Sequence, residues 1–283
     1  MKNIMSLAIT LLLTTGIANS ATPVTEEKTW TETYAVGTSA PLLEINNIWG
    51  GVRVRTGDSN QIVVKISEVR SAPNQEMFDL SLRRITLNTA ADADGVSILV
   101  GDSEARYDRK NLWNRMDQCR DCRVDYQFDV FVPPDSVVEV STVMDGLVDV
   151  SGVTGIVSAS NVNGSVSVDN IRDCESINSV NGRVNIEFSA APVRDCEIET
   201  INGHITLNIP DNASLDVAAD LFNGEIKSDF PVDALSLPAT VEHIQDDGRS
   251  LYRIQKLSGV RIGAGGPIYS IASMNGDIRI RRN

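Results

Sequence analysis

Two histidines and an aromatic content of 5% leave this 283-residue chain short of the side chains that most catalytic and sugar-stacking sites are built from. His204 and His243 are the whole supply of imidazole bases, and no nucleophile motif, phosphate-cradling loop or paired-histidine pattern accompanies them. Gly263-Ala264-Gly265-Gly266 is glycine-rich but lacks the strand-to-helix setting and the spacing of a dinucleotide site. A non-enzymatic role, with no cofactor and no metal, is therefore the expectation. Positive charge is scarce too. Against 38 Asp and Glu stand 25 Lys and Arg, a formal net charge of −13, which repels phosphate backbones and anionic membrane surfaces and disfavours a nucleic-acid partner. Long amphipathic helical patterns are missing, and beyond the N-terminus there is no apolar run long enough to span a bilayer.

Met1-Lys2-Asn3 followed by the apolar run Ile4 to Ile17 and the small residues Ala18-Asn19-Ser20 has the form of a secretory signal peptide, residues 1–20, cleaved before Ala21. Its removal takes away Lys2 and no other charge, so −13 becomes −14. The reading is a periplasmic or secreted chain with no membrane span.

Export matters for the four cysteines, because oxidising compartments preserve disulfides. Cys119-Arg120-Asp121-Cys122 has no second pair at zinc spacing, so a structural disulfide is the first reading, with metal binding or thiol exchange as alternatives. Cys174 and Cys196 sit in twin phrases, Ile171-Arg172-Asp173-Cys174-Glu175 and Val193-Arg194-Asp195-Cys196-Glu197. They precede their next glycines by eight and seven residues, so a bridge between neighbouring repeats needs a one-residue adjustment; two buried free thiols are the alternative.

What the chain has in abundance is one phrase. An apolar residue, Asn or Asp, and Gly are followed by two apolar residues at alternate positions: Met144-Asp145-Gly146, Val162-Asn163-Gly164, Val180-Asn181-Gly182, Ile201-Asn202-Gly203, Phe222-Asn223-Gly224 and Met274-Asn275-Gly276. The first five glycines are spaced 18, 18, 21 and 21 residues apart, a period that marks stacking units too small to bury their own apolar face. Asn-Gly between alternating apolar residues is also a hairpin signal. Across a two-residue hairpin, however, Val162, Val180, Ile201 and Met274 would face Ser165, Arg183, His204 and Asp277, a mismatch of faces. A corner suits the pattern better, with Val180 and Val184 both pointing inward and Asn163, Asn181, Asn202 and Asn223 stacked as an amide ladder. A three-residue turn with a glycine bulge keeps the hairpin open as the alternative. The fold class is all-β, a parallel β-helix or β-solenoid with repeats of about 18–22 residues.

Around the repeats, residues 21–41 form a polar N-terminal extension, loosely held from Thr22 to Tyr34, and residues 42–283 one solenoid domain. Leu42 to Val54 repeats the phrase with Trp49 in place of Asn and reads as the first coil or its cap. A short helix is expected near residues 75–84, with Met77, Leu80 and Leu82 on its apolar side. Ala91 to Gly95 is a solvated turn lacking the full calcium-loop pattern. An insert at 102–123 breaks the β pattern and sets Trp113 among arginines including Arg109 and Arg115, either a contact for an acidic or glycan partner or a solvated flap. Residues 231–257 read as a loop region, and Arg279, Arg281 and Arg282 as a charged closing edge.

The repeats, the lead-in Val132-Pro133-Pro134-Asp135-Ser136-Val137-Val138-Glu139-Val140, the segment Leu221 to Phe230 and the closing phrase Tyr269 to Ile280 resemble the DUF4097 family, exported bacterial proteins described as adhesins. The resemblance covers the chain from about Leu42 onward and implies a β-solenoid with an envelope or surface role and no catalytic residues to carry over. Trp49 and the cysteine-bearing insert depart from the family pattern. Three functions follow as expectations. The first is a scaffold or adhesin-type module with an envelope or surface partner, protein or glycan. The second is a carbohydrate-active enzyme, which requires at least two carboxylates and a basic residue on one solvent face. The third is a thiol-based envelope stress sensor working through Cys119 and Cys122.

Overall fold

The computed structural model describes residues 23–283 apart from 59, 102–118, 120, 237–239, 247–248 and 256–257. The expected signal peptide and the candidate contact residues Arg109, Trp113 and Arg115 lie outside the described residues.

Alternating β-branched and polar residues make strands almost everywhere. The chain opens with β1 (Val24–Ala35), β2 (Leu42–Asn46), β3 (Val52–Thr56) and β4 (Gln61–Ala72), then α1 (Gln75–Arg84). Next come β5 (Thr86–Ala91), β6 (Gly95–Gly101) and β7 (Arg123–Val132). The repeats supply strands two at a time: β8 (Val137–Thr142) with β9 (Val148–Ser151), β10 (Ile156–Asn161) with β11 (Val166–Ile171), β12 (Asp173–Ser179) with β13 (Val184–Phe188), β14 (Cys196–Asn202) with β15 (Ile205–Ile209), and β16 (Leu215–Asn223) with β17 (Ile226–Ser228). β18 (Val232–Ser236), β19 (Thr240–Asp246), β20 (Arg249–Gln255), β21 (Ser258–Ile262), β22 (Ile268–Asn275) and β23 (Ile278–Arg282) complete the described chain.

Every Asn-Gly phrase joins a strand of one sheet to a strand of the other. The first member of each repeat pair enters an eleven-stranded sheet, ordered β18-β21-β16-β22-β14-β12-β10-β8-β2-β6-β5. The second enters a ten-stranded sheet, ordered β1-β4-β7-β3-β9-β11-β13-β15-β23-β17. Both sheets are mixed: successive repeats pair in parallel, whereas β1-β4-β7, β5-β6 and β16-β21-β18 pair antiparallel at the ends. The phrases are thus corners and not hairpin turns.

The inner positions of the two sheets merge into one core. Val148, Val166, Val184, Ile205, Ile278 and Ile226 stand in register down one column, and all but the last, half-buried Ile226 are fully enclosed. Each enclosed Val or Ile contributes about 1.5–3 kcal/mol.

Five expectations are corrected. The described part of the stretch expected to be loosely held, Thr22 to Tyr34, is ordered: Val24–Ala35 is β1, paired with β4 over twelve positions. Residues 231–257 are not a plain loop: they hold β18, which joins the eleven-stranded sheet, and the β19-β20 hairpin. The helix near residues 75–84 is present, N-capped by the Asn74 side chain, which accepts from Met77 N–H at 2.9 Å. Its buried residues are Phe78 and Ser81, while Leu82 is exposed. β2-β3 is not an outer coil, because β6 and β7 lie beyond it.

The stacking order, too, departs from the order of the sequence. β22-β23 does not close the stack but slots between β14-β15 and β16-β17, so Arg279 and Arg281 sit inside the ten-stranded sheet and not on its edge. The chain achieves this by turning back along β21 and reversing at Gly263 and Gly265, whose φ of 61° and 75° suit glycine. Arg261 on β21 donates from Nε and Nη2 to both carboxylate oxygens of Asp216 on β16, at 2.7 Å each. Those bonds hold the Asp216 carboxyl below its ordinary 3.8. A carboxyl lowered on folding stabilises above its unfolded value and loses that contribution as pH falls through the folded one. Asp216→Asn is therefore expected to flatten the decline in melting temperature below about pH 4, measured by circular dichroism melts across pH.

Candidate functional site: the corner edge

Stacked corners line up one column of residues per position. Innermost are Thr142, Asn161, Ser179 and Thr200, all buried, each donating to the carbonyl of the corner glycine one level away: Gly50, Gly146, Gly164 and Gly182, at 2.7, 2.8, 3.0 and 3.3 Å. These bonds satisfy carbonyls that the change of direction takes out of the sheet ladders.

The next residue therefore points outward, because successive strand residues alternate faces. Val162 is 37% exposed, Ile201 43%, Met274 52% and Phe222 80%. The expected inward direction of Val180 is corrected accordingly: it is only half-buried, and Ser179 takes the inner place. The sequence signal was present as a small polar residue two before four of the five corner Asn, at Asn161, Ser179, Thr200 and Ser273, with Leu221 in that place before Asn223.

Beside that apolar column runs the amide ladder. Asn181 Nδ2 donates to Asn163 Oδ1 at 2.9 Å, Asn202 to Asn181 at 2.8 Å, Asn275 to Asn202 at 2.9 Å and Asn223 to Asn275 at 3.0 Å. Asn275 enters the expected ladder between Asn202 and Asn223, as the stacking order requires. Trp49 pairs with Met144, whose sulfur lies 3.4 Å from Asn163 Nδ2, so the ladder ends in an aromatic residue where the first phrase lacks Asn. Past the glycines, His204 Nδ1 accepts the Asp277 N–H at 3.0 Å, so this imidazole caps backbone.

Two other surfaces bear on function. On the ten-stranded sheet, Lys65, Asp129, Arg53 and Asp149 follow one another in register. They line an open groove of about 370 Å³ with Gln127 and exposed Leu147. Arg53 Nε bonds Asp149 at 3.2 Å and Arg55 Nη1 bonds Asp129 at 3.2 Å. The outer face of the eleven-stranded sheet carries Ser141, Ser158, Ser160, Ser176, Asn178 and Ser270 in adjoining rows.

Both disulfides are formed. Cys119–Cys122 is buried, with its sulfurs 3.6 and 3.4 Å from the Met77 carbonyl oxygen of α1. Cys174–Cys196 links β12 to β14 at a Cα separation of 5.5 Å. Its one-residue offset is absorbed by a bulge: Val157 pairs with Cys174 and Ser158 with Ser176, which leaves Glu175 as the extra residue and turns Cys174 inward. Closing a loop of 22 residues stabilises by about 3 kcal/mol, against roughly half that for the separation of three. Cys174→Ala/Cys196→Ala is expected to lose about twice as much stability as Cys119→Ala/Cys122→Ala, compared by urea denaturation.

No helix among the described residues is long and apolar enough to cross a membrane, and no group of three or more His, Cys, Asp or Glu among them could hold a metal ion. No protein-family model matches the chain, and no curated protein matches it. A solved structure from Clostridium sporogenes, described as a "putative cell adhesion protein", is similar with a TM-score of 0.44 at 11% identity, over 89% of this chain and 99% of that one.

Proposed function

We propose that this chain is a two-sided β-solenoid exported from the cytoplasm, and that it serves in the cell envelope or at the surface as a non-catalytic module of adhesin or scaffold type whose contact surface is the corner edge. Parallel register through successive repeats supports the solenoid, and two disulfides support an oxidising compartment. The observation that carries the functional reading is the exposed apolar column Val162, Ile201, Met274 and Phe222 beside a ladder of amides. A monomeric surface rarely keeps such side chains in one contiguous row unless something lies against them. The amides keep free donors and acceptors for an ordered polar partner, whether a glycan or a protein backbone.

A second reading, a carbohydrate-active enzyme, draws on the groove with Asp129 and Asp149. General acid-base chemistry needs a carboxyl free to exchange a proton with substrate, and both are held by arginines on an open face. One experiment separates the two. Phe222→Ser/Met274→Ser and Asp129→Asn/Asp149→Asn are each presented to isolated envelope fractions of the host and to its purified glycans. Binding that falls at least tenfold in the first variant, with no glycan turnover by the parent chain, supports the module. Turnover abolished in the second variant overturns it.

A further inference from the structure

We infer that β1 is a self-pairing edge through which two copies of this chain join their ten-stranded sheets antiparallel, about a two-fold axis at Trp30. The two large sheets end in β1, β17, β5 and β18, and β1 is by far the longest of these, at twelve residues against three, six and five. Natural sheets blunt long edges with charged side chains, especially lysine, and with proline or bulges. β1 has no Pro or Gly and pairs with β4 without a register shift, and its four charges, Glu26, Glu27, Lys28 and Glu32, are of both signs and so can be matched by a partner strand as well as repel one. Among the described residues no strand pairs with its outer side.

The charges choose the partner and the register. An axis normal to the sheet keeps both copies' core-facing residues on the same side, so facing residues share parity and the axis passes through a single residue position. Centred on Lys28, the pairing sets Lys28 against Lys28; centred on Thr29, it sets Glu26 against Glu32; centred on Thr31, it forms no charge pair. Centred on Trp30, it sets Lys28 against Glu32 twice and Thr29 against Thr31 twice, and opposes no like charges. Lys28 and Glu32 lie on the same half-buried face of the strand as Trp30 and Tyr34. Lys28 bonds Glu26 at 2.9 Å, while Glu32 accepts from Trp30 Nε1 at 3.0 Å and from the Tyr34 hydroxyl. Trp30 and Tyr34 thus hold the Glu32 carboxylate in place with neutral donors, and among the described residues no ion pair to it is formed, so a lysine from a second copy would add charge to an already positioned acceptor.

Sedimentation equilibrium of the purified chain tests this, with circular dichroism melts as a folding control. The expected result is a concentration-dependent dimer that Lys28→Glu and Glu32→Lys each weaken about tenfold, and that the double reversal restores. Thr29→Cys/Thr31→Cys is expected to cross-link the dimer under oxidation, whereas either cysteine alone does not. A chain that stays monomeric at every concentration, as it would if the edge served a strand of another protein, overturns the inference. So does a dimer indifferent to both charge reversals.

Discussion

Replacing Arg70 with methionine is expected to lower stability by about 3–5 kcal/mol, the range for breaking a buried ion pair by removing one partner. Arg70 on β4 is 3% exposed and uses its whole guanidinium. Nε donates to Glu68 at 2.6 Å, Nη1 to Ser81 Oγ at 3.1 Å, and Nη2 to the Ile85 carbonyl at 2.9 Å and the Tyr126 hydroxyl at 3.2 Å. One side chain therefore ties together β4, the C-terminal turn of α1 and β7. Burial, and secondarily the charge of Glu68, push the Tyr126 hydroxyl well above its ordinary range, so it stays protonated beside that pair. Removing the cation leaves Glu68 buried without compensation and strands three acceptors. Arg70→Met/Glu68→Leu is expected to recover most of the loss, because an apolar pair of similar volume costs no desolvation. Urea denaturation of the two singles and the double gives the coupling directly, and a double no more stable than Arg70→Met rules the account out.

Gly182→Val should cost on the order of 3 kcal/mol or more, for a different reason. The corner glycines are usually explained by positive φ, yet Gly146, Gly164, Gly182, Gly203 and Gly276 do not have it. What they share is proximity: a Cβ on each would fall under 3.0 Å from the carbonyl oxygen of the neighbouring corner glycine, Gly164 in the case of Gly182. Because that contact is backbone on backbone, no side chain can swing aside to relieve it. Strands of successive repeats would have to separate, taking with them the Ser179 and Thr200 bonds to the glycine carbonyls and the Asn181 and Asn202 amide ladder. Asn181→Ala, which removes two exposed amide bonds and leaves the spacing intact, is expected to lose only about 1 kcal/mol. Chemical denaturation that finds the two variants equal would refute the close-packing explanation.

Much of the site was legible in the residues, but one position out of phase. The amide ladder could be anticipated from Asn163, Asn181, Asn202 and Asn223, since equal spacing stacks equal side chains. The direction of Val180 could not be read correctly while Val184 was used as its guide, because a corner breaks strand alternation. The small polar residues before most corners were the better guide, and the bonds of Asn161, Ser179 and Thr200 to glycine carbonyls reveal why a core position tolerates them. The bridge between Cys174 and Cys196 needed a bulge at Glu175 that no propensity announces. The long strand at Val24–Ala35 was missed for its polarity; an edge strand with one face in solvent needs few apolar residues, and Val24, Trp30 and Tyr34 suffice.

By itself the sequence determined an all-β chain whose glycine-marked phrases each turn from one sheet to the next, because alternation, corner chemistry and close approach are local properties that every repeat carries within itself. The tertiary structure alone decided which repeat lies beside which. A parallel ladder offers the same backbone bonds to any neighbour of the right length, and Asn275 fits beside Asn202 as well as Asn223 would. The choice fell to the reversal at Gly263 and Gly265 and to the Asp216–Arg261 pair, whose contacts span 45 residues and have no local signature.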